Sequence, residues 1–187
     1  MNTTRRLVLV GNPNVGKSVI FGALTGKYAT VSNFPGTTVE IARGAIDAER
    51  RGGFGEVIDT PGTNNLVPAS EDEAVTRDIV LGLEDGDVVV QVADAKNLAR
   101  ALVVTIELAE IGRPQILVLN MIDEARARGI GVRGAALSEA LGVPVVETIA
   151  TRREGIAGVW DAVERAAVAR VATRYPEAIE MAVGEIT

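Results

Sequence analysis

The sequence predicts an α/β fold: a mostly parallel six-stranded sheet with one antiparallel strand pair and helices on both faces. Three observations predict it. Short apolar, β-branched runs alternate with longer segments of helical periodicity, the pattern of a parallel sheet buried under helices. A glycine-rich turn, Gly11 to Ser18, follows the first apolar run directly. The linker Arg50-Arg51-Gly52-Gly53 is too short for a crossover, so the runs it joins must lie antiparallel as a hairpin.

In chain order, the predicted strands are Leu7 to Val10, Val39 to Asp47, Phe54 to Asp59, Asp87 to Ala93, Gln115 to Asn120 and Val143 to Thr148. Helices are predicted for Lys17 to Leu24, Ala74 to Leu83, Leu98 to Ile111, Arg133 to Leu141, and Gly155 to about Ala172. Tyr28 to Glu40 reads as a Ser/Thr/Gly/Pro loop, and Trp160 as packing for the last helix rather than a ligand contact.

With 187 residues, 47% of them hydrophobic, the chain can bury one ordinary core. It has no cysteine and no histidine, so disulfides, imidazole bases and His-ligated metals are excluded, leaving oxygen ligands for any metal. A net charge of −6 with interspersed signs argues against nucleic acid as the main partner. The longest apolar runs are too short to cross a bilayer, and Met1 to Arg6 runs straight into a strand, leaving no room for a signal peptide. The expectation is a cytoplasmic domain without direct membrane insertion.

Gly11-Asn12-Pro13-Asn14-Val15-Gly16-Lys17-Ser18 satisfies G-x-x-x-x-G-K-[ST] between a strand and a helix, the signature of a phosphate-binding loop and so of a P-loop NTPase. Its N–H groups and the helix N-terminus suit phosphate, Lys17 would bridge the β- and γ-phosphates, and Ser18 would hold Mg²⁺. Asp59-Thr60-Pro61-Gly62 closes the third run, which places Asp59 to order Mg²⁺ and the Gly62 N–H toward a γ-phosphate. Asn120-Met121-Ile122-Asp123 closes the fifth. A carboxylate at Asp123 accepts from guanine N1–H and N2–H₂, an edge that adenine lacks. Helix capping by Asn120 or Asp123 is the competing reading. Ala150-Thr151 ends the last run, where a backbone N–H near Ala150 would meet guanine O6. Thr37 and Thr38 offer hydroxyls that could close over Mg²⁺ and the γ-phosphate.

Together GNPNVGKS, SNFPGTTVE, DTPGTNNL, NMID and IATRREG resemble the N-terminal G domain of FeoB ferrous-iron transport proteins, within the translation-factor-like class of small GTPases. The resemblance covers roughly residues 5 to 172. It implies GTP and GDP binding, Mg²⁺-dependent GTP hydrolysis, and a place on the cytoplasmic face of the inner membrane beside helical and transmembrane domains. It also puts the switch threonine at Thr38 and makes Asn14 a candidate K⁺ ligand, K⁺ supplying charge that an arginine supplies elsewhere. The alternative for Asn14 is a turn residue that tolerates unusual backbone angles. Where most small GTPases carry Lys, this chain has Met121, and the loss of that long stem along the base implies faster nucleotide release.

Thr63 follows Gly62 where the best-known GTPases have Gln, so no side-chain amide there orients the attacking water and slow intrinsic hydrolysis is expected. Phe34 and Asn64 depart from the aromatic residues common in the family. By the same resemblance, residues 1–172 form the G domain and 173–187, beginning near Arg174-Tyr175-Pro176, the truncated start of a helical regulatory subdomain. Two other functions fit the residues: a nucleotide-gated protein-binding module with incidental hydrolysis, and a free-standing ribosome-associated GTPase, which the negative charge disfavours.

Overall fold

The computed structural model describes residues 4–25, 29–46 and 52–171. Strands are β1 (Arg5–Val10), β2 (Ala29–Asn33), β3 (Glu40–Ala45), β4 (Phe54–Asp59), β5 (Val88–Asp94), β6 (Gln115–Asn120) and β7 (Val145–Glu147). Helices are α1 (Lys17–Thr25), α2 (Glu71–Leu81), α3 (Leu98–Glu110), α4 (Ile122–Ala127), α5 (Gly134–Leu141) and α6 (Ile156–Val163). The sheet order is β2-β3-β4-β1-β5-β6-β7; β4, β1, β5, β6 and β7 run parallel, and β3 is antiparallel to both its neighbours.

Burial on both faces explains why the central strands are apolar at nearly every position. Leu7 and Leu9 of β1 face a cluster with Ile20, Phe21 and Leu24 of α1 and Val159 and Val163 of α6, where Trp160 also packs. The alternate residues Val8 and Val10 face Val75, Ile79 and Val80 of α2 and Val104 and Leu108 of α3. From Leu7 to Val10 and from Val88 to Ala93 no residue is more than 3% exposed, so the middle of the sheet has no solvent face.

The sheet has seven strands where six were predicted. The extra strand, β2, is exposed at all five residues and pairs antiparallel with β3 through its backbone. Its sequence Ala-Thr-Val-Ser-Asn carries no buried side to produce alternation, which is why it reads as loop. The predicted hairpin pair is β3 with β4, although Arg50 and Arg51 of its turn and Asp47 lie outside the described residues.

The last helix ends at Val163, short of the predicted Ala172. Beyond it Ala167 exchanges backbone hydrogen bonds with Gln115, and the Arg170 N–H donates to Leu141 O at 2.7 Å. Pairing with the start of β6 overrides the helix propensity of the alanines there. Helix α2 starts three residues earlier than predicted because Ser70 caps it, its side chain accepting from the Glu73 N–H at 3.2 Å. Helix α4, only six residues long, was missed because its periodicity is too short to register.

At the end of the sheet opposite the motif-bearing loops, Asp87 is buried and joins β1 to the turn after α2. It accepts from the Arg6 N–H at 2.7 Å, from Arg6 Nε at 2.9 Å and from the Glu84 N–H at 2.9 Å. Replacing Asp87 by Ala strands these donors, and we expect a stability loss of about 3 kcal/mol in urea unfolding. Because Asp87 lies at the far end, ligand affinity at the opposite end should be unchanged; a loss of affinity without a loss of stability would contradict this division of labour.

Candidate functional site

The loops at the carboxyl ends of β1, β4, β6 and β7 converge where the order of the sheet reverses around β1, the position at which open α/β sheets bind ligands. The loop between β1 and α1 is held close by its glycines. A Cβ on Gly11 would stand 2.1 Å from Val92 O, so this residue presses directly on β5. Gly16 has φ +89°, and a Cβ there would stand 2.4 Å from Asn120 Nδ2. Asn14 is exposed and left-handed at φ 63°, the conformation a turn asparagine tolerates.

Lys17 opens α1 yet is only 9% exposed. Burial pulls its ammonium below the usual lysine range, and Asp59 opposes the shift. Burial pushes the Asp59 carboxyl up, countered by Ser18 and Lys17. Ser18 Oγ donates to Asp59 Oδ2 at 2.7 Å, while Asp59 Oδ1 is buried with no hydrogen-bond partner among the described residues. Such an orphaned anionic oxygen beside a hydroxyl suits a hydrated divalent cation. Lys17, Ser18, Thr38, Asp59 and Gly62 line one open cavity of about 620 Å³. Thr37 turns away from it: its hydroxyl donates to Phe34 O at 3.0 Å and accepts from the Val39 N–H at 3.2 Å. Phe34 packs against the core cluster that holds Val39 and Ile41.

The segment after Gly62 is tied to the loop between β1 and α1, to α2 and to α3. The Thr63 N–H donates to Gly11 O at 3.0 Å and its buried hydroxyl donates to Asn65 O. The side chain of Asn12, a residue expected in the phosphate-binding loop, reaches this segment, donating to Thr63 O at 3.1 Å and Asn64 Oδ1 at 3.2 Å. Glu73 of α2 accepts from the Asn64 and Ala69 N–H groups. From α3, Arg100 donates to Asn64 Oδ1 and Glu107 accepts from the Leu66 N–H at 2.7 Å. Burial raises the Glu107 carboxyl, with the Leu66 bond opposing. Sequence reasoning found none of Glu73, Arg100 or Glu107. A Ser70-x-x-Glu73 capping pattern was the one available signal.

A second, smaller cavity of about 100 Å³ lies beside the first and is lined by Gly16, Asn120, Met121, Asp123, Ala150 and Thr151 among others. Asn120 is 4% exposed and joins three strands' ends. Its Nδ2 donates to Val15 O at 2.9 Å; its Oδ1 accepts from the Ala150 N–H at 3.0 Å and from Thr148 Oγ1 at 3.1 Å. The Ala150 N–H, expected at the rim, is thus committed to Asn120. Nor does Asn120 cap a helix: the residue at the N-terminus of α4 is Met121, left-handed at φ 62°, with no side-chain cap. Asp123 stands in the first turn of α4 with Arg152 Nη2 3.8 Å from its carboxylate.

Of the predicted residues, Lys17, Ser18, Thr38, Asp59 and Gly62 thus line the larger cavity and Gly16, Asn120, Met121, Asp123, Ala150 and Thr151 the smaller one, whereas Gly11, Asn12, Pro13, Asn14 and Val15 line neither. A sequence model described as ferrous iron transport protein B matches residues 5–163. The chain is 38% identical over 161 residues to the Fe(2+) transporter FeoB of Escherichia coli K12, covering 84% of this chain and 20% of that one. It is 38% identical over 157 residues to a Fe(2+) transport protein A/FeoB fusion protein of Porphyromonas gingivalis, covering 83% and 18%. The chain thus spans about a fifth of the curated relatives it matches. Among solved structures, the cytosolic domain of T. maritima FeoB in its GMPPNP form aligns with TM-score 0.86 at 34% identity, covering 97% of this chain and 72% of that one. The cytosolic domain of L. pneumophila FeoB aligns with TM-score 0.85 at 32% identity, covering 96% and 77%. On sequence and fold together, the chain belongs to the family of ferrous iron transport protein B.

Proposed function

We propose that this chain binds guanine nucleotides and hydrolyses GTP to GDP and phosphate, as the cytosolic switch of a ferrous-iron membrane transporter. The observation that carries the reading is the orphaned Asp59 Oδ1 beside Ser18 and Lys17, next to a pocket bearing Asn120 and Asp123. The likeness to T. maritima FeoB structures described as GDP and GMPPNP forms supports it.

In this reading the loop from Gly11 to Ser18, Asn12, Pro13 and Val15 included, wraps the phosphates, and Lys17 meets the β- and γ-oxygens. Desolvation strengthens the attraction of that ammonium for phosphate. Ser18, Asp59 and Thr38 would hold Mg²⁺, which supplies charge neutralisation on the phosphate oxygens. Gly62 offers its N–H to the γ-phosphate. Asp123 reads the guanine edge, and a backbone N–H near Ala150 meets O6. Asn14 would hold K⁺ next to the phosphates. Hydrolysis without a partner would be slow, because position 63 carries Thr rather than Gln and its hydroxyl proton is committed to Asn65 O.

Residues 1–172 would form the G domain. Residues 173–187, outside the described ones, would begin a helical regulatory subdomain that passes the nucleotide state to the transmembrane part, at the cytoplasmic face of the inner membrane. No described helix is long and apolar enough to cross a membrane. The same committed Thr63 hydroxyl favours a second reading, a nucleotide-gated binding module in which hydrolysis is incidental.

Two experiments test this. Asp123→Asn exchanges a double acceptor for a group that donates, so GDP affinity should fall about a hundredfold while xanthosine diphosphate gains, measured by fluorescence titration. Unchanged GDP binding would remove Asp123 from base recognition. GTP turnover should be faster in potassium than in sodium buffer, and the difference should vanish in Asn14→Ala. Equal rates in both salts would reduce Asn14 to a turn residue and favour the binding-module reading.

A further inference from the structure

The base pocket borders on a cation that none of its motifs contains. Lys96 lies in the short 3₁₀ turn Ala95–Asn97 that follows β5. In the sheet Asp94 of β5 pairs with Asn120 of β6, so the residues just beyond them, Lys96 and Met121, leave the sheet side by side. The Lys96 side chain is 8% exposed. Its Nζ stands 2.8 Å from Glu124 Oε2, 3.1 Å from Asp94 Oδ1 and 3.4 Å from Met121 Sδ, a weak acceptor. Asp94 is itself oriented, accepting from the Lys96 N–H at 2.9 Å and from Asn97 Nδ2 at 2.8 Å. The ammonium is therefore anchored to β5 on one side and grips α4 on the other.

What it grips matters. Met121 is left-handed at φ 62° and ψ 35°, a conformation that side-chain-bearing residues avoid and that surrounding contacts must impose. Met121 and Glu124 bracket Asp123, and all three line the small cavity. Lys96 thus holds the residues on both sides of Asp123, whose own carboxylate stands 3.8 Å from Arg152 Nη2. The corner occupied by the Lys96 ammonium also adjoins the position where most small GTPases place a lysine and this chain places Met121.

We propose that Lys96 is the positioning residue of the base pocket: its ammonium clamps Met121 and Glu124 around Asp123 and so sets how long a guanine nucleotide stays bound. The inference rests on the guanine-nucleotide reading given above. Lys96 offsets, from the turn after the neighbouring strand β5, the loss of the lysine stem at position 121. A guanine ligand thereby encounters a preorganised carboxylate rather than a mobile one.

The test is stopped-flow release of a fluorescent GDP from the parent chain, Lys96→Met, Lys96→Arg and the exchange Lys96→Met with Met121→Lys. Lys96→Met should remain folded and release the nucleotide about tenfold faster, with a lower thermal midpoint because Asp94 and Glu124 lose their cation. Lys96→Arg should stay near the parent, and the exchange should recover most of the slow release, because an ammonium returns to the same corner. Release from Lys96→Met at the parent rate would overturn the proposal. So would faster release that the exchange does not recover, since that marks a merely structural residue. Should Lys96→Met not fold, Glu124→Gln at the half-exposed end of the clamp should still accelerate release about threefold, and no change there would overturn the proposal too. A parent chain that binds no guanine nucleotide would instead bring down the functional reading itself, a result distinct from all of these.

Discussion

One buried amide side chain holds the site together. Asn120 reaches the phosphate loop through Val15 O and the β7 loop through the Ala150 N–H and the Thr148 hydroxyl, from the end of β6. It uses both of its polar atoms within the protein. Gly16 leaves no other residue type at its own position, since any Cβ would collide with the Asn120 amide as well as sit at a strained φ. Asn120 itself lines the smaller cavity. In a site at the edge of a parallel sheet each loop is otherwise free to move alone; Asn120 gives three of them a common anchor.

Electrostatics in the phosphate cavity point the same way. Lys17 is buried and Asp59 half-buried, their titrations are pushed toward the neutral forms by desolvation, and each opposes that shift in the other. Neither finds full compensation, as the lone Asp59 Oδ1 records. A polyanion with its cation satisfies both at once. The segment from Thr63 to Leu66 then lies where it can feel the change, tied to the phosphate loop by Asn12 and Gly11 and to α2 and α3 by Glu73, Arg100 and Glu107. These bonds connect the phosphate loop to the two outer helices through one short segment.

Much of this was legible in the sequence. The central strands announce themselves because burial on both faces makes nearly every residue apolar, and the four motifs fall at strand ends because the fold places loops there. What escaped has physical causes. Strand β2 is polar and exposed, held by backbone bonds that have no sequence signature. The end of α6 was set by pairing of Ala167 with Gln115, far away in sequence and invisible to local propensity. Asn120 was legible as a member of a base-reading motif, or as a cap. Its actual partners, Val15 and Ala150, lie far along the chain in both directions, and only the register of β1, β6 and β7 brings them together. Lys96 is the same case in smaller form: the pairing of Asp94 with Asn120 delivers it to Met121.

The central claim, that Asn120 ties the phosphate loop to the base loops before any ligand arrives, is tested most directly by hydrogen exchange on the nucleotide-free chain and on Asn120→Ala. The account predicts that the Ala150 amide loses protection in the variant and that amides across residues 14–18 of the phosphate loop exchange faster with it, while those of β1 and β5 stay protected. Unchanged protection at Ala150 and in the phosphate loop would contradict it, and would mean that the three loops hold their places independently.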